Sequence, residues 1–289
     1  MNTKILNELT RIANSLERIA PSRAKTPDFQ LFSMFIWDTA KQIVVPVEHN
    51  NQLPLRMLKG IDKQSELLFK NTLNHSECLP ANHALLWGSR GVGKSSLAKA
   101  TICEVNSNNS KKKQLVMVEI ARDDISSLPT LLTFIKEHMS IRFIIFCDDL
   151  TFNFNEDGFK AFKSILDGSI QGCPENALFY VTSNHRHIIT KNNLHQETLR
   201  SQDLKAENDE YISLSDRFGL WLGFHYIEQA TYLEIVQKYA DEIGLKVNQN
   251  DLESQALQWA LSRGSRSGRV AWQFIQHLSG NLKVMINLN

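Results

Sequence analysis

Gly88-Ser89-Arg90-Gly91-Val92-Gly93-Lys94-Ser95 follows directly on the apolar stretch Ala84-Leu85-Leu86-Trp87. These eight residues match the pattern G-x-x-x-x-G-K-[ST] at every fixed position, between a predicted strand and a predicted helix that runs on through Leu97, Ala98 and Ala100. The match predicts a bound nucleoside triphosphate, because a phosphate chain must be wrapped closely by backbone N–H groups. Side chains at Gly88, Gly91 and Gly93 would obstruct that approach or the backbone angles it needs. Lys94 supplies positive charge for the β- and γ-phosphates, and Ser95 offers a hydroxyl to Mg²⁺. Ser96 adds a further phosphate donor, and the helix that starts here aims its positive dipole end at the anion.

Composition sets the frame. A chain of 289 residues, 42% hydrophobic and 22% charged, builds a large core as one or two globular domains. Positive and negative side chains nearly cancel, 32 against 31, so no overall field draws the protein to nucleic acid or to an anionic membrane, and any such binding is local. Cys78, Cys103, Cys147 and Cys173 are widely spaced with no C-x-x-C pair, which reads as reduced thiols. No apolar run approaches the roughly 20 residues that span a bilayer, and the N-terminus alternates apolar with polar residues, so a cytoplasmic protein without a membrane partner is expected.

Along the chain, strand candidates at 83–87, 115–120, 143–147, 177–182 and 220–226 alternate with helices at 94–105, 125–139 and 157–166. This is the rhythm of a parallel α/β sheet. The last sixty residues read as helical: one helix over 230–243, a second capped by Asn250 with Glu253 three positions on, and a third ending near Gly280. Ahead of the core, Ile5, Leu9, Ile12, Leu16 and Ile19 draw a narrow helical stripe, open either to partner docking or to packing on its own domain. The near-helical spacing of Phe29, Phe32, Phe35 and Trp37 reads as core packing. Residues 1–52 are therefore expected to be an N-terminal helical extension, 53–228 the nucleotide-binding core and 229–289 a helical lid. The lysines at 111–113 read as a solvated loop, and 191–210 as a long polar loop.

Beyond the phosphate loop, the buried run Phe143-Ile144-Ile145-Phe146-Cys147 delivers Asp148 and Asp149 at its C-terminal end. Asp148 is the candidate for holding Mg²⁺ through water, and Asp149 for orienting the attacking water. The competing reading is a capping pair. Asn184 ends the next strand, where it either orients water and senses the γ-phosphate or forms a turn. His185 and His187 flank it without a third ligand for a metal.

The order of phosphate loop, Asp148-Asp149, Asn184, Ser215-Asp216-Arg217-Phe218-Gly219 and Gly264-Ser265-Arg266-Ser267-Gly268-Arg269 resembles an AAA+ ATPase from about residue 35 to 280. Pro80-Ala81-Asn82, Leu86-Trp87-Gly88, Cys147-Asp148-Asp149-Leu150, Thr182-Ser183-Asn184 and Leu214-Ser215-Asp216-Arg217-Phe218-Gly219-Leu220 resemble more closely the bacterial DUF815 group, whose task is unassigned. The resemblance implies a homo-oligomeric assembly that binds ATP with Mg²⁺. In it Lys94 and Ser95 are the Walker A lysine and hydroxyl, Asp148 the Walker B metal carboxylate, Asp149 the water-activating position and Asn184 the first sensor. Arg217 is implied as the finger that reaches a neighbour's nucleotide, and Arg269, with Arg266 as rival, as the second sensor on the lid. Leu58-Lys59-Gly60-Ile61 resembles the segment lining the adenine pocket.

Two departures narrow the function. Many such proteins carry Glu where Asp149 stands, which argues for slow hydrolysis, while initiator-type members carry paired aspartates. Ala121-Arg122-Asp123-Asp124 offers no aromatic residue to grip a threaded polypeptide, which argues against an unfoldase. Three readings follow: an ATPase driving a conformational change in an unknown protein partner, a nucleotide-gated adaptor with little turnover, and a helicase-loader-like protein acting on DNA.

Overall fold

The computed structural model describes residues 5, 8, 10–12, 27–48, 53–108, 114–150, 157–167, 172–184 and 216–286. The N-terminal stripe beyond Ile5 and Ile12, the lysines at 111–113, His185, His187, the 191–210 stretch and Leu214-Ser215 lie outside these residues.

Among the described residues, seven strands form one sheet: β1 (Met34–Asp38), β2 (Ile43–Pro46), β3 (Ala84–Gly88), β4 (Leu115–Glu119), β5 (Arg142–Cys147), β6 (Ala177–Ser183) and β7 (Leu220–Phe224). Their spatial order is β2-β1-β4-β5-β6-β3-β7. Every pairing is parallel except β1 with β2, where Ile36 faces Val45. The central strands are apolar without alternation because both faces are covered. Leu85, Val116, Phe143, Ile145, Phe179 and Val181 point into one buried cluster, and their neighbours Leu86, Met117, Ile144, Phe146 and Tyr180 into the other. The helices α1 (Asp62–Ser76), α2 (Lys94–Ser107), α3 (Leu128–Lys136) and α4 (Asp157–Leu166) belong to the same unit.

Residues 34–46 differ from the expected helical extension: they are a β-hairpin added to the sheet edge beyond β4. Phe35 and Trp37 are buried, as a core reading requires, but on one face of a strand rather than one face of a helix. Helix α3 is shorter than expected because residues 122–127 form a 3-10 segment before it.

Three helices, α5 (Gln229–Ile243), α6 (Gln249–Ser262) and α7 (Gly268–Leu282), close a third apolar cluster around Tyr232, Ile235, Ala256, Ala271 and Phe274. Met57, from a 3-10 turn ahead of α1, is fully buried in this cluster, and Arg56 pairs with Glu242 through Nε at 3.1 Å and Nη2 at 2.5 Å. The lid is thus tied to the segment between β2 and α1. Asn248, not Asn250, caps α6: its side chain accepts the Asn250 N–H. Ser267 caps α7 by accepting the Val270 N–H at 3.2 Å.

Candidate nucleotide site

β5, β6 and β3 are neighbours in the sheet, with Cys147 opposite Val181 and Trp87 opposite Ser183. That register brings Asp148, Asp149, Asn184 and the loop after Gly88 to one end of the sheet. Gly88 has φ 134, and a Cβ there would lie 1.9 Å from the Phe224 carbonyl oxygen. Its glycine is therefore required by the close approach to β7 and by its positive φ. Gly91 has φ 76 and faces the lid: a Cβ would sit 3.0 Å from Ser267 Oγ and 3.4 Å from Arg269 Cβ.

Lys94, at the start of α2, is 7% exposed. Its Nζ donates to Gly88 O and Ser89 O, both at 2.7 Å, and to Asn184 Oδ1 at 3.2 Å. Burial lowers its pKa from the usual lysine value, and the Asp149 and Asp148 carboxylates oppose that shift. Ser95 Oγ donates to Asp148 Oδ1 at 2.6 Å, and Asn184 Nδ2 donates to Asp149 Oδ1. Asp149 itself has φ 50, in the left-handed region that non-glycine residues seldom occupy.

These groups border a cavity of about 500 Å³. Arg90, Gly91, Val92, Gly93, Lys94, Ser95 and Ser96 line it, together with Asp148, Asp149, Thr182 and Asn184. Leu53, Leu58, Lys59, Ile61 and Ile227 also border it, and Ile235, Tyr239, Gly268, Arg269 and Trp272 come from the lid. Gly88 and Ser89 do not line it; they reach it only through the carbonyls that bind Lys94.

The two lid arginines separate. Arg269 borders the cavity and its N–H donates to Gly91 O at 3.2 Å, whereas Arg266 Nη1 donates to Gln229 Oε1 at 3.1 Å and lines a different cavity. Arg217 does not border the site: its Nε lies 2.9 Å from Asp167 Oδ1, and its side chain is 48% exposed. The sequence reading did not single out Thr182 as a site residue, nor Tyr239 and Trp272. A hydroxyl within the buried strand Ala177–Ser183 was the signal for Thr182, since buried polar groups are paired. Nothing local marked the two aromatics apart from ordinary lid packing.

The set suits a triphosphate and a hard divalent cation. A glycine-walled bend followed by a helix N-terminus offers backbone donors, and Ser95 and Asp148 offer oxygen ligands already within hydrogen-bond reach of each other.

A mostly parallel sheet with the phosphate loop after β3, Asn184 after the neighbouring β6, the acids after β5 one strand further on and a helical lid bordering the cavity defines a P-loop fold of the AAA+ type. The chain belongs to the DUF815 family, described as a protein of unknown function, whose model matches residues 30–282. Among solved structures, a mutant of Thermotoga maritima RuvB superposes with TM-score 0.52 at 16% identity, over 80% of this chain and 66% of that one. This chain thus spans just under two thirds of the RuvB chain. The replication initiator DnaA bound to AMPPCP and single-stranded DNA gives TM-score 0.49 at 15% identity, over 83% and 67%. The Aeropyrum pernix ORC2 protein in ADPNP and ADP complexes gives 0.42 at 13%, over 82% and 74%. At these identities the likeness concerns the fold alone. No curated protein matches the sequence. Among the described residues no helix is long and apolar enough to cross a membrane.

Proposed function

We propose that this protein binds ATP with Mg²⁺ and hydrolyses it slowly at interfaces between identical subunits, driving a conformational change in a protein partner. The observation that carries this reading is the convergence of phosphate loop, paired acids, Asn184 and lid Arg269 on one cavity. Lys94 and the loop amides hold the β- and γ-phosphates, Leu58, Ile61 and Ile227 flank the base, and Arg269 reaches the phosphates from the lid. Ser95 and Asp148 hold the cation, which when bound neutralises charge developing on the transferred phosphoryl group. Asp149 orients the attacking water and Asn184 the γ-phosphate. Arg217, half-exposed and outside its own site, supplies a positive charge to a neighbour's site. Its pairing with Asp167 is a surface ion pair of about 0–1 kcal/mol, weak enough to exchange for a phosphate.

A nucleotide-gated adaptor is the second reading, favoured by the engagement of the Asp149 carboxylate by Asn184. Turnover separates the two. A rate well above about one per minute, raised by a partner, supports the ATPase, whereas a slower unstimulated rate supports the adaptor, against typical enzyme rates near ten per second. A particle mass unchanged between the free protein and the protein with AMP-PNP, both monomeric, would count against shared sites. Binding to single-stranded DNA that weakens steeply with salt would instead favour a role on DNA.

A further inference from the structure

We propose that Thr182 is a positioning residue that sets both acids of the site; the inference rests on the nucleotide-hydrolysing reading above. Thr182 is 1% exposed within β6, all seven residues of which are buried. A hydroxyl there needs partners, and it has two. Oγ1 donates to Asp148 Oδ1 at 2.6 Å and accepts the Asp149 N–H at 2.8 Å. The carbonyl of the same residue accepts the Leu150 N–H at 2.8 Å. One residue thereby fixes three successive residues at the tip of β5.

Two features give this clamp a chemical consequence. Asp148 Oδ1 also accepts from Ser95 Oγ at 2.6 Å, so when the Ser95 hydroxyl turns to a cation the Thr182 hydroxyl still keeps the carboxylate aimed. Asp149 sits at φ 50, a conformation that strains a residue with a Cβ and persists only where its surroundings over-determine it. The Thr182 bond to its N–H and the Asn184 bond to its carboxylate do so from two sides. Valine has threonine's shape without the hydroxyl. It leaves the Asp149 N–H without that partner and lets the Asp148 carboxylate rotate, so the damage falls on the cation and the water rather than on nucleotide affinity.

The test uses the full chain with Thr182→Val, Thr182→Ser and, should valine prevent folding, Thr182→Ala, each checked by thermal melting. In Thr182→Val the Mg²⁺ needed for half-maximal turnover, and the Mn²⁺ needed to fill the site with AMP-PNP by electron paramagnetic resonance, rise about 10–100-fold. AMP-PNP affinity in EDTA stays within about 2-fold, and Thr182→Ser recovers cation affinity to within about 3-fold, because the outer-shell hydroxyl is restored. In the protein without ligands, amide exchange at Asp149 and Leu150 accelerates in Thr182→Val and not in Thr182→Ser. Wild-type Mn²⁺ affinity and exchange in Thr182→Val, or a serine variant as impaired as valine, overturns the proposal. A wild-type protein that neither hydrolyses ATP nor takes Mn²⁺ with AMP-PNP overturns the reading of function instead. The exchange measurement then still decides the clamp, which unchanged rates in Thr182→Val refute.

Discussion

Lys94→Ala removes the charge around which the site is built. In the folded chain its ammonium is held by two carbonyls at 2.7 Å and by the Asn184 amide oxygen, in a setting whose burial already disfavours charge. The desolvation of that ammonium is therefore met during folding, and a triphosphate entering the cavity exchanges neutral acceptors for anionic ones. A unit charge pair at 4 Å and an effective dielectric near 20 is worth about 4 kcal/mol, and a hydrogen bond to a charged group contributes about 1.5–3 kcal/mol. The ammonium keeps some attraction to its present acceptors, so a net loss of about 2–4 kcal/mol is expected on truncation, an ATP affinity weakened about 30- to 700-fold. Trp272 borders the cavity and serves as an intrinsic fluorescence reporter for the titration. The carbonyls left behind face a cavity that admits water, so melting should move by no more than about 4 °C. A folded Lys94→Ala protein that binds ATP within about 3-fold of wild type would refute the cradle, because a loss of about 0.6 kcal/mol leaves no room for a phosphate contact.

Arg217→Ala should keep ATP affinity while losing turnover about 10³-fold, and an equimolar mixture with Lys94→Ala should regain turnover, since a mixed interface joins an intact phosphate loop to an intact Arg217; no regain in the mixture rejects the shared site. Gly88→Ala should cost more than about 3 kcal/mol in urea unfolding, because its Cβ meets a main-chain carbonyl at 1.9 Å, whereas Gly264→Ala, with φ 67 but nothing within 4 Å, should cost only about 1 kcal/mol. Burial, aided by Arg142, lowers the pKa of His75 from 6.5 to about 4, and its Nε2 lies 3.1 Å from Phe143 O. The unfolded chain then binds more protons between those values, so stability is full above pH 6.5 and falls as pH drops toward 4, by about 3 kcal/mol from this one side chain. Burial also lowers His83 to about 4, so both contribute to the slope, and urea midpoints for wild type and His75→Leu should diverge in pH dependence across that window; parallel slopes would show that His75 is not held neutral.

What was legible in the sequence follows from how far apart the cooperating residues lie. The phosphate loop spans eight consecutive residues, and Asp148, Asp149 and Asn184 end apolar runs long enough to declare themselves as strands. Residues at the tips of parallel strands share one end of the sheet whatever the strand order, so local patterns were enough to bring them together. The β1–β2 hairpin was not legible. Phe29 and Phe32 precede the strand, and their spacing to Phe35 imitates a helix, while the pairing that joins the hairpin to the sheet is between β1 and β4, some eighty residues on. The partner of Arg217 was hidden for the same reason: Asp167, fifty residues earlier in the chain, holds it instead of the adjacent Asp216.

The polar groups of the site are satisfied by one another, and this shapes what a ligand must do. Asn184 is the hinge of the arrangement, its Oδ1 bound by Lys94 and its Nδ2 bound to Asp149. A γ-phosphate that draws Lys94 away from Oδ1 leaves the amide still anchored at Asp149, and a cation that draws Ser95 away leaves Asp148 still anchored by Thr182. Each exchange replaces one hydrogen bond by another of greater charge, so the net gain is small compared with the gross interaction, as for hydrogen bonds generally. Cation binding is therefore expected to depend less on the number of contacts than on how firmly Thr182 and Asn184 hold the acids once Lys94 and Ser95 have changed partners.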